Sequence, residues 1–285
     1  MDGERRENMS GPDGRLNRGA FSDLGRYVYG VAAMALGVIG LVWRDFATGW
    51  QPIQAFTVSG FFPYREALAY IAAIGQLLGG AAILGRRTAR AGAVVLGIFN
   101  FIFACFWLPR FYWVPHLLGF RFPRMIGVLG GFLQEFCLVP AAVMIYTSLE
   151  SRDSARALRR EQISRFVFAI CVLSFGLSHF FGLSATARAV PNWIPPGQQF
   201  WAIATGVFFV LAAMAIFSGV VAVLASRLLT LMLVVFSALV WVPAPFAYPH
   251  VHIAWAGNAA NLSFVGAAWV VADSIARDSK QGMAR

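Results

Sequence analysis

Long apolar runs alternate with short polar connections along almost the whole chain. Eight of these runs meet or approach the roughly 20 residues that a helix needs to cross about 30 Å of hydrocarbon. The connections carry arginine or proline, as in 86–90 and 191–196. The pattern predicts an all-α integral membrane protein with eight transmembrane helices, at 27–43, 67–85, 91–109, 125–147, 165–184, 197–219, 226–243 and 253–273.

The composition agrees with a chain that is surrounded by lipid. Hydrophobic residues make up 59% of the sequence and charged residues 13%, whereas a soluble domain carries about a quarter charged residues. The net charge of +10 comes almost entirely from arginines in short connections. Because no basic face is long enough to follow a phosphate backbone, we expect the lipid bilayer, and not nucleic acid, as the partner of these charges.

The distribution of arginine predicts the orientation in the membrane. Most positive residues fall in the N-terminal tail, in the second and fourth connections and near the C-terminus. The remaining connections carry few. Since cytoplasmic loops hold the excess of positive charge, both termini are predicted to be cytoplasmic in a multi-pass protein of the inner (plasma) membrane.

An internal repeat is visible when the chain is compared with itself. The third and seventh runs both end in Trp-x-Pro, at Trp107 and Trp241, and Gly131 in the fourth run corresponds to Gly257 in the eighth. An even number of spans per copy gives both copies the same orientation. The repeat therefore predicts two tandem parallel four-helix bundles.

This organisation divides the chain into five segments. The polar start of the chain has too few apolar residues to fold on its own, so a disordered cytoplasmic tail is predicted there. The segments are a tail at 1–25, a first membrane unit at 26–147, a cytoplasmic linker at 148–164, a second membrane unit at 165–275 and a cytoplasmic tail at 276–285.

Several short motifs resemble the DoxX-like family of small four-helix membrane proteins. In the first half they are Asp45-Phe46 with Trp50-Gln51-Pro52, Arg65 to Tyr70, and Gln134-Glu135; in the second they are Gly176 to Phe180, Val190 to Pro196, Phe200-Trp201 with Gly206, and Asn261-Leu262 before Gly266-Ala267-Ala268. The resemblance covers roughly 26–275 as two fused copies, whereas family members are usually single units. It implies a four-helix membrane fold and, for some members, quinone-dependent oxidation of sulfur compounds or membership of a membrane-bound oxidoreductase complex.

Glu135 is an acidic residue near the middle of the fourth run. A carboxylate at this depth must be protonated, paired or exposed to a water-filled cavity. Gln134, Asn100 and Gln76 lie at comparable depth and are candidate hydrogen-bond partners, while the second copy has the neutral Asn258 and Asn261 instead. Glu135 is therefore either a proton-accepting or quinone-contacting carboxyl or a neutral bridge between helices.

A second set of candidate residues maps to the outer ends of the spans. Arg44, Asp45, His179, Trp193 and Trp201 carry charge, an imidazole or an indole there. They suit either the rim of an outward-facing pocket or interfacial anchors on the headgroups.

No catalytic or metal-binding pattern emerges from the remaining motifs. His250-x-His252 is a weak metal signature in a loop, for which interfacial hydrogen bonding is the favoured role. The three cysteines stand singly, without a C-x-x-C pair. Phosphate-loop, nucleophile-elbow and zinc-protease motifs are absent from the sequence, so we assign no catalytic residue and no metal.

These observations leave three functions open. The first is an inner-membrane subunit that contacts a redox protein and a quinone. The second is a transporter-like protein that handles a small molecule or a lipid near Glu135. The third is a structural or stress-related interaction protein without catalysis.

Overall fold

The structure, a computed structural model, describes residues 13–47, 49–53, 56–57, 60–61, 63–150 and 155–282. The outermost parts of both predicted tails, 1–12 and 283–285, and residues 151–154 of the predicted linker lie outside this description. Twelve α-helices, one π-helical segment and one small hairpin make up the described chain. They are α1 (Asp13–Trp43), β1 (Phe56–Thr57), β2 (Gly60–Phe61), α2 (Arg65–Leu84), α3 (Ala89–Cys105), α4 (Pro109–Leu118), α5 (Phe122–Phe136), α6 (Leu138–Ser148), α7 (Ala155–Phe181), α8 (Leu183–Ala189), α9 (Gln198–Ser218), α10 (Ala222–Phe236), the π-segment (Ser237–Trp241), α11 (Ala244–Ala247) and α12 (His252–Gly282).

The predicted number of spans is confirmed. In the described part of the chain, eight helical stretches are long and apolar enough to cross a membrane. They are Asp23–Trp43, Arg65–Leu84, Ala89–Leu118, Phe122–Ser148, Ala155–Phe181, Gln198–Ser218, Ala222–Ala247 and His252–Ser279.

Three helices extend further than the apolar runs. α1 begins at Asp13, inside the predicted tail, α7 begins at Ala155, inside the predicted linker, and α12 continues to Gly282. The added turn or turns of α7 are rich in Ala, Leu, Arg and Gln, which are strong helix formers. The hydropathy of a run predicts only the part of a helix that lies in lipid. Residues with high helix propensity extend these helices beyond that part.

Consecutive spans pack against one another, and the last span closes the arrangement. α12 lies along α1, contacts α10 and reaches α6. The contact with α1 is close, because a Cβ at Gly266 would lie 2.5 Å from the backbone nitrogen of Tyr29. In α12, 83% of the membrane-spanning stretch is buried, compared with 22% in Ala222–Ala247. α12 is therefore central, and Ala222–Ala247 is peripheral.

The two predicted units share an extensive boundary. α7 packs on α5 and α6, and α12 packs more extensively on α1 than on α7. One contact recurs in both halves, since the ring of Trp107 occupies the space over Gly131 and the ring of Trp241 occupies the space over Gly257. The division into two tandem bundles stays a prediction.

The chain after α1 folds back into the bundle. We call residues 44–47 and 49–53 the re-entrant loop, and the end of the bundle from which it enters, opposite the start of α1, the distal end. Gln51 donates from Nε2 to Oε1 of Gln76 at 2.9 Å, and Gln76 lies about 16 Å along α2 from its first residue. Trp50 packs edge-to-face on Trp241, with ring centroids 5.3 Å apart. The loop thus joins the first half of the chain to the second.

Two arginines hold the re-entrant loop in place. Arg65 forms an ion pair with Asp45 at 2.6 Å, and Arg110 donates to the carbonyl oxygen of Pro52 at 3.1 Å. Loop carbonyls inside a bundle need donors, and guanidinium groups at the starts of α2 and α4 supply them.

Candidate functional site

Glu135 lies where α5 gives way to α6. Its residue exposure is 5%, and nearby Pro140 has no N–H to offer the carbonyl of Phe136. No hydrogen bond or ion pair to its carboxyl is found within the part of the chain that the structure describes. The structure thus places a buried acid beside a break in its own helix.

The candidate partners of Glu135 belong to other networks. Asn100 donates from Nδ2 to the hydroxyl of Tyr29 at 2.8 Å, and that hydroxyl donates to the carbonyl oxygen of Leu138 at 3.0 Å. Gln76 accepts from Gln51, as described above. These amides share the depth of Glu135 but face different neighbours.

Gln134 makes no side-chain hydrogen bond to Glu135 in the described part of the chain. Its backbone carbonyl accepts from Sγ of Cys137 at 3.1 Å. Its side chain is half-buried and has no hydrogen bond among the described residues. The four residues predicted as one polar site are therefore distributed over separate contacts.

Two cysteines belong to the buried cluster beside Glu135. Cys137 follows Glu135 by two residues, and Cys171 of α7 packs in the same cluster as Cys137, which the sequence did not indicate. Both thiols are free and fully buried. Buried thiols in apolar surroundings are poor nucleophiles, so this cluster is a packed interior and not an open reaction site.

Asn261, the counterpart of Glu135, has a structural contact. It donates from Nδ2 to the carbonyl oxygen of Leu233 at 3.3 Å and to the hydroxyl of Ser237. Both acceptors lie where α10 changes into the π-segment, which disturbs the helical hydrogen-bond ladder. Asn258, one turn earlier, is half-buried and has no side-chain hydrogen bond among the described residues.

The five predicted outer-pocket residues do not come together. Asp45 pairs with Arg65, while Arg44 is exposed and has a φ of 54°. His179 pairs through Nδ1 with the carbonyl oxygen of Phe175 one turn earlier in α7, at 2.8 Å, and its Cβ lies against Gly206 of α9. Trp193 is exposed in the loop before α9. Trp201 lines a cavity.

That cavity is a lateral groove between α9 and α10, with a volume of about 330 Å³. Its walls are almost entirely carbon, and the hydroxyl of Thr205 is bonded to the carbonyl of Trp201 in its own helix at 2.7 Å. Phe208 and Leu231 are 52% and 57% exposed, so the groove opens sideways to the surroundings of the bundle. Its lining consists of Val190, Pro191, Ile194, Trp201, Ala204, Thr205, Phe208, Leu228, Leu231, Met232, Val235, Phe236, Leu239 and Val240.

Glycine explains why α2 and α3 pack more closely than α9 and α10, between which the groove lies. α2 and α3 approach closely, because a Cβ at Gly92 would lie 2.6 Å from the carbonyl oxygen of Gly79. α10 contains no glycine, and its leucines and valines keep α9 at a distance. The signal was present in the sequence, but it required knowing which helices are neighbours.

The distal end of the groove opens into a polar mouth. A second cavity of about 420 Å³ shares Val190, Pro191 and Val240 with the groove. Gln198 donates from Nε2 to the carbonyl oxygen of Val190 at 2.6 Å, which fixes the connection between α8 and α9. The polar side chains of the mouth are Arg188, Asn192, Gln198 and Tyr248.

Metal-ligating groups are dispersed. Within the described ranges, no three His, Cys, Asp or Glu side chains are grouped so that they could hold a metal ion. His252 stacks on Trp43, with ring centroids 5.1 Å apart, and His250 is exposed.

No protein-family model, curated protein or solved structure matches the chain. The resemblance to DoxX-like proteins therefore stays a prediction from the motifs.

Proposed function

We propose that the protein is a plasma-membrane protein with cytoplasmic termini that holds the hydrocarbon chain of a membrane amphiphile in the lateral groove. The observation that carries this proposal is the groove itself, a carbon-lined cavity of about 330 Å³ between two membrane-spanning helices. In a membrane, a groove at this position on the side of the bundle is surrounded by lipid tails, which are therefore available to fill it.

The dimensions of the groove support a chain from a single leaflet. From Leu228 to Val240 the lining covers about 18 Å of helix, and half of the hydrocarbon core is about 15 Å thick. The groove lies in the distal half of α10 and ends at the polar mouth. An amphiphile of the distal leaflet fits with its chain inside and its head at the mouth.

An isoprenoid quinone belongs to this class of amphiphile, as do phospholipids. The groove is therefore compatible with two of the functions that the sequence leaves open. As a quinone-linked redox subunit the protein would hold a quinone there, and as a lipid-handling protein it would hold a phospholipid. A redox partner protein stays a proposal within the first of these two functions. Glu135 is not among the groove-lining residues, so the proposal places the amphiphile in the second half of the chain.

The test fills the groove and measures what the protein retains. Ala204→Phe places a ring in the lining, and Ala81→Phe places the same ring on the exposed surface of α2 as a control. Wild type and both variants are purified in detergent, and bound lipids and quinones are quantified by mass spectrometry after extraction. We expect Ala204→Phe to retain several-fold less amphiphile than wild type, while Ala81→Phe matches wild type.

A second groove variant keeps the test valid if Ala204→Phe does not fold. Leu231→Trp narrows the groove from the exposed side of α10, where extra volume is tolerated. Far-ultraviolet circular dichroism and gel filtration establish that each variant is folded. Equal retention by wild type and both folded groove variants would overturn the proposed function.

A further inference from the structure

We infer that the polar mouth selects an anionic headgroup, so that the occupant of the groove is an anionic phospholipid of the distal leaflet. This inference rests on the proposed function, because the head at the mouth belongs to the chain in the groove.

Arg188 brings an uncompensated positive charge to the mouth. It lies in the last turn of α8, lines the cavity and is exposed. The segments that surround it, 182–200 and 237–251, contain no aspartate or glutamate. No ion pair of Arg188 occurs within the described ranges. An exposed guanidinium without a carboxylate partner favours a phosphate.

Three other arginines at the distal end, Arg65, Arg110 and Arg124, already have partners. Arg65 is paired with Asp45, and Arg110 and Arg124 donate to backbone carbonyls. The charge of Arg188 therefore stands apart from the arginines that fix the loops.

Neutral donors line the same cavity as Arg188. They are Asn192, Gln198 and Tyr248, and amide and phenol groups donate hydrogen bonds to phosphate or glycerol oxygens. The bond from Gln198 to Val190 holds the backbone of the mouth in place before any ligand arrives.

Selectivity must come from the mouth and not from the groove. Moving an acyl chain from lipid into a carbon-lined groove exchanges one apolar environment for another, so the hydrophobic effect favours no particular lipid. A basic residue near the membrane surface attracts an anionic lipid by about 1 kcal/mol, which is about five-fold in affinity. The charge of the head is thus the property that this site distinguishes.

The experiment compares an anionic with a neutral lipid of identical chains. Wild-type protein is reconstituted in nanodiscs of mixed phosphatidylglycerol and phosphatidylcholine, released into detergent, and its bound lipids are identified by native mass spectrometry. We expect phosphatidylglycerol to be enriched in wild type and in Arg188→Lys. In Arg188→Gln the enrichment falls about five-fold while total occupancy persists.

Arg121→Gln is the matched control. Arg121 is also an exposed arginine at the distal end, and it lies outside the mouth. Loss of enrichment in Arg121→Gln as large as in Arg188→Gln would overturn the inference, because it would reflect general surface charge. Unchanged enrichment in Arg188→Gln, or equal binding of both lipids to wild type, would overturn it as well.

The two proposals fail in different ways. If wild type retains lipid or a neutral quinone without any preference for charge, the inference is wrong and the groove remains occupied as proposed. If wild type retains no amphiphile at all, the proposed function is wrong and the inference falls with it.

Discussion

The hydroxyl of Tyr29 joins three spans and offers a direct test of the buried network. It donates to the carbonyl oxygen of Leu138 in α6 and accepts from Asn100 in α3, at 3.0 and 2.8 Å. Tyr29 itself lies in α1 and is 1% exposed. Tyr29→Phe removes both hydrogen bonds and leaves the ring in place.

The expected loss of stability follows from the two bonds. Hydrogen bonds between membrane helices average about 0.6 kcal/mol and reach about 1.7 kcal/mol. Phenylalanine fills the same space, so no cavity adds to the cost. Because Asn100 and Leu138 are left with unpaired polar atoms, we expect the free energy of unfolding to fall by about 1 to 3 kcal/mol.

The assay is reversible unfolding in mixed micelles of dodecyl sulfate and a mild detergent, followed by circular dichroism. Tyr27→Phe is the control, because the Tyr27 hydroxyl has no hydrogen bond among the described residues and phenylalanine preserves the cation–π contact with Arg26. We expect Tyr27→Phe to change stability by less than about 0.5 kcal/mol. A Tyr29→Phe variant as stable as Tyr27→Phe would refute the network as a source of stability.

Two further predictions follow from contacts already described, and a third tests the proposed orientation in the membrane. Gly131→Ala overlaps the ring of Trp107 and is expected to destabilise the protein by about 1 to 3 kcal/mol, whereas Gly127→Ala, with open space around it, is expected to be nearly neutral in the same unfolding assay. Arg65→Gln removes the ion pair and a charged hydrogen bond to the re-entrant loop, with an expected cost of about 1 to 3 kcal/mol; a matching loss in the exposed Arg44→Gln would contradict this. A cysteine introduced in 148–164 is expected to react with an impermeant maleimide only after the cells are opened, and labelling of intact cells would reverse the proposed orientation.

The existence of the spans was predictable because a membrane imposes a length on every apolar run. Hydropathy located all eight, including the third span, where Trp107 and Pro109 interrupt the helix. It did not locate the start of α7 at Ala155, because residues outside the membrane obey helix propensity and not hydropathy. The fold of the re-entrant loop could not be predicted from the sequence either, because its contacts with Trp241 and Gln76 join residues that are far apart in the chain.

The candidate site shows the same limit. The depth of a residue follows from its position in a run, so Glu135, Asn100 and Gln76 were predicted to be membrane-embedded, and each lies within a helical stretch that is long and apolar enough to cross a membrane. The direction in which each side chain points depends on the rotation of its helix, and this rotation assigns Asn100 to Tyr29 and Gln76 to Gln51. The groove depends on a distance between α9 and α10, which only packing determines.

The contact between α1 and α12 has a consequence for how the protein matures. α1 leaves the ribosome well before α12, yet Gly25 and Gly266 bring the backbones of these two helices together over several turns. Until α12 is made, one side of α1 must face lipid, other helices or an insertion factor. A chain that stops short of α12 would also leave Trp50 of the re-entrant loop without its ring contact with Phe264, so truncation before α12 would expose apolar surface on both α1 and the loop.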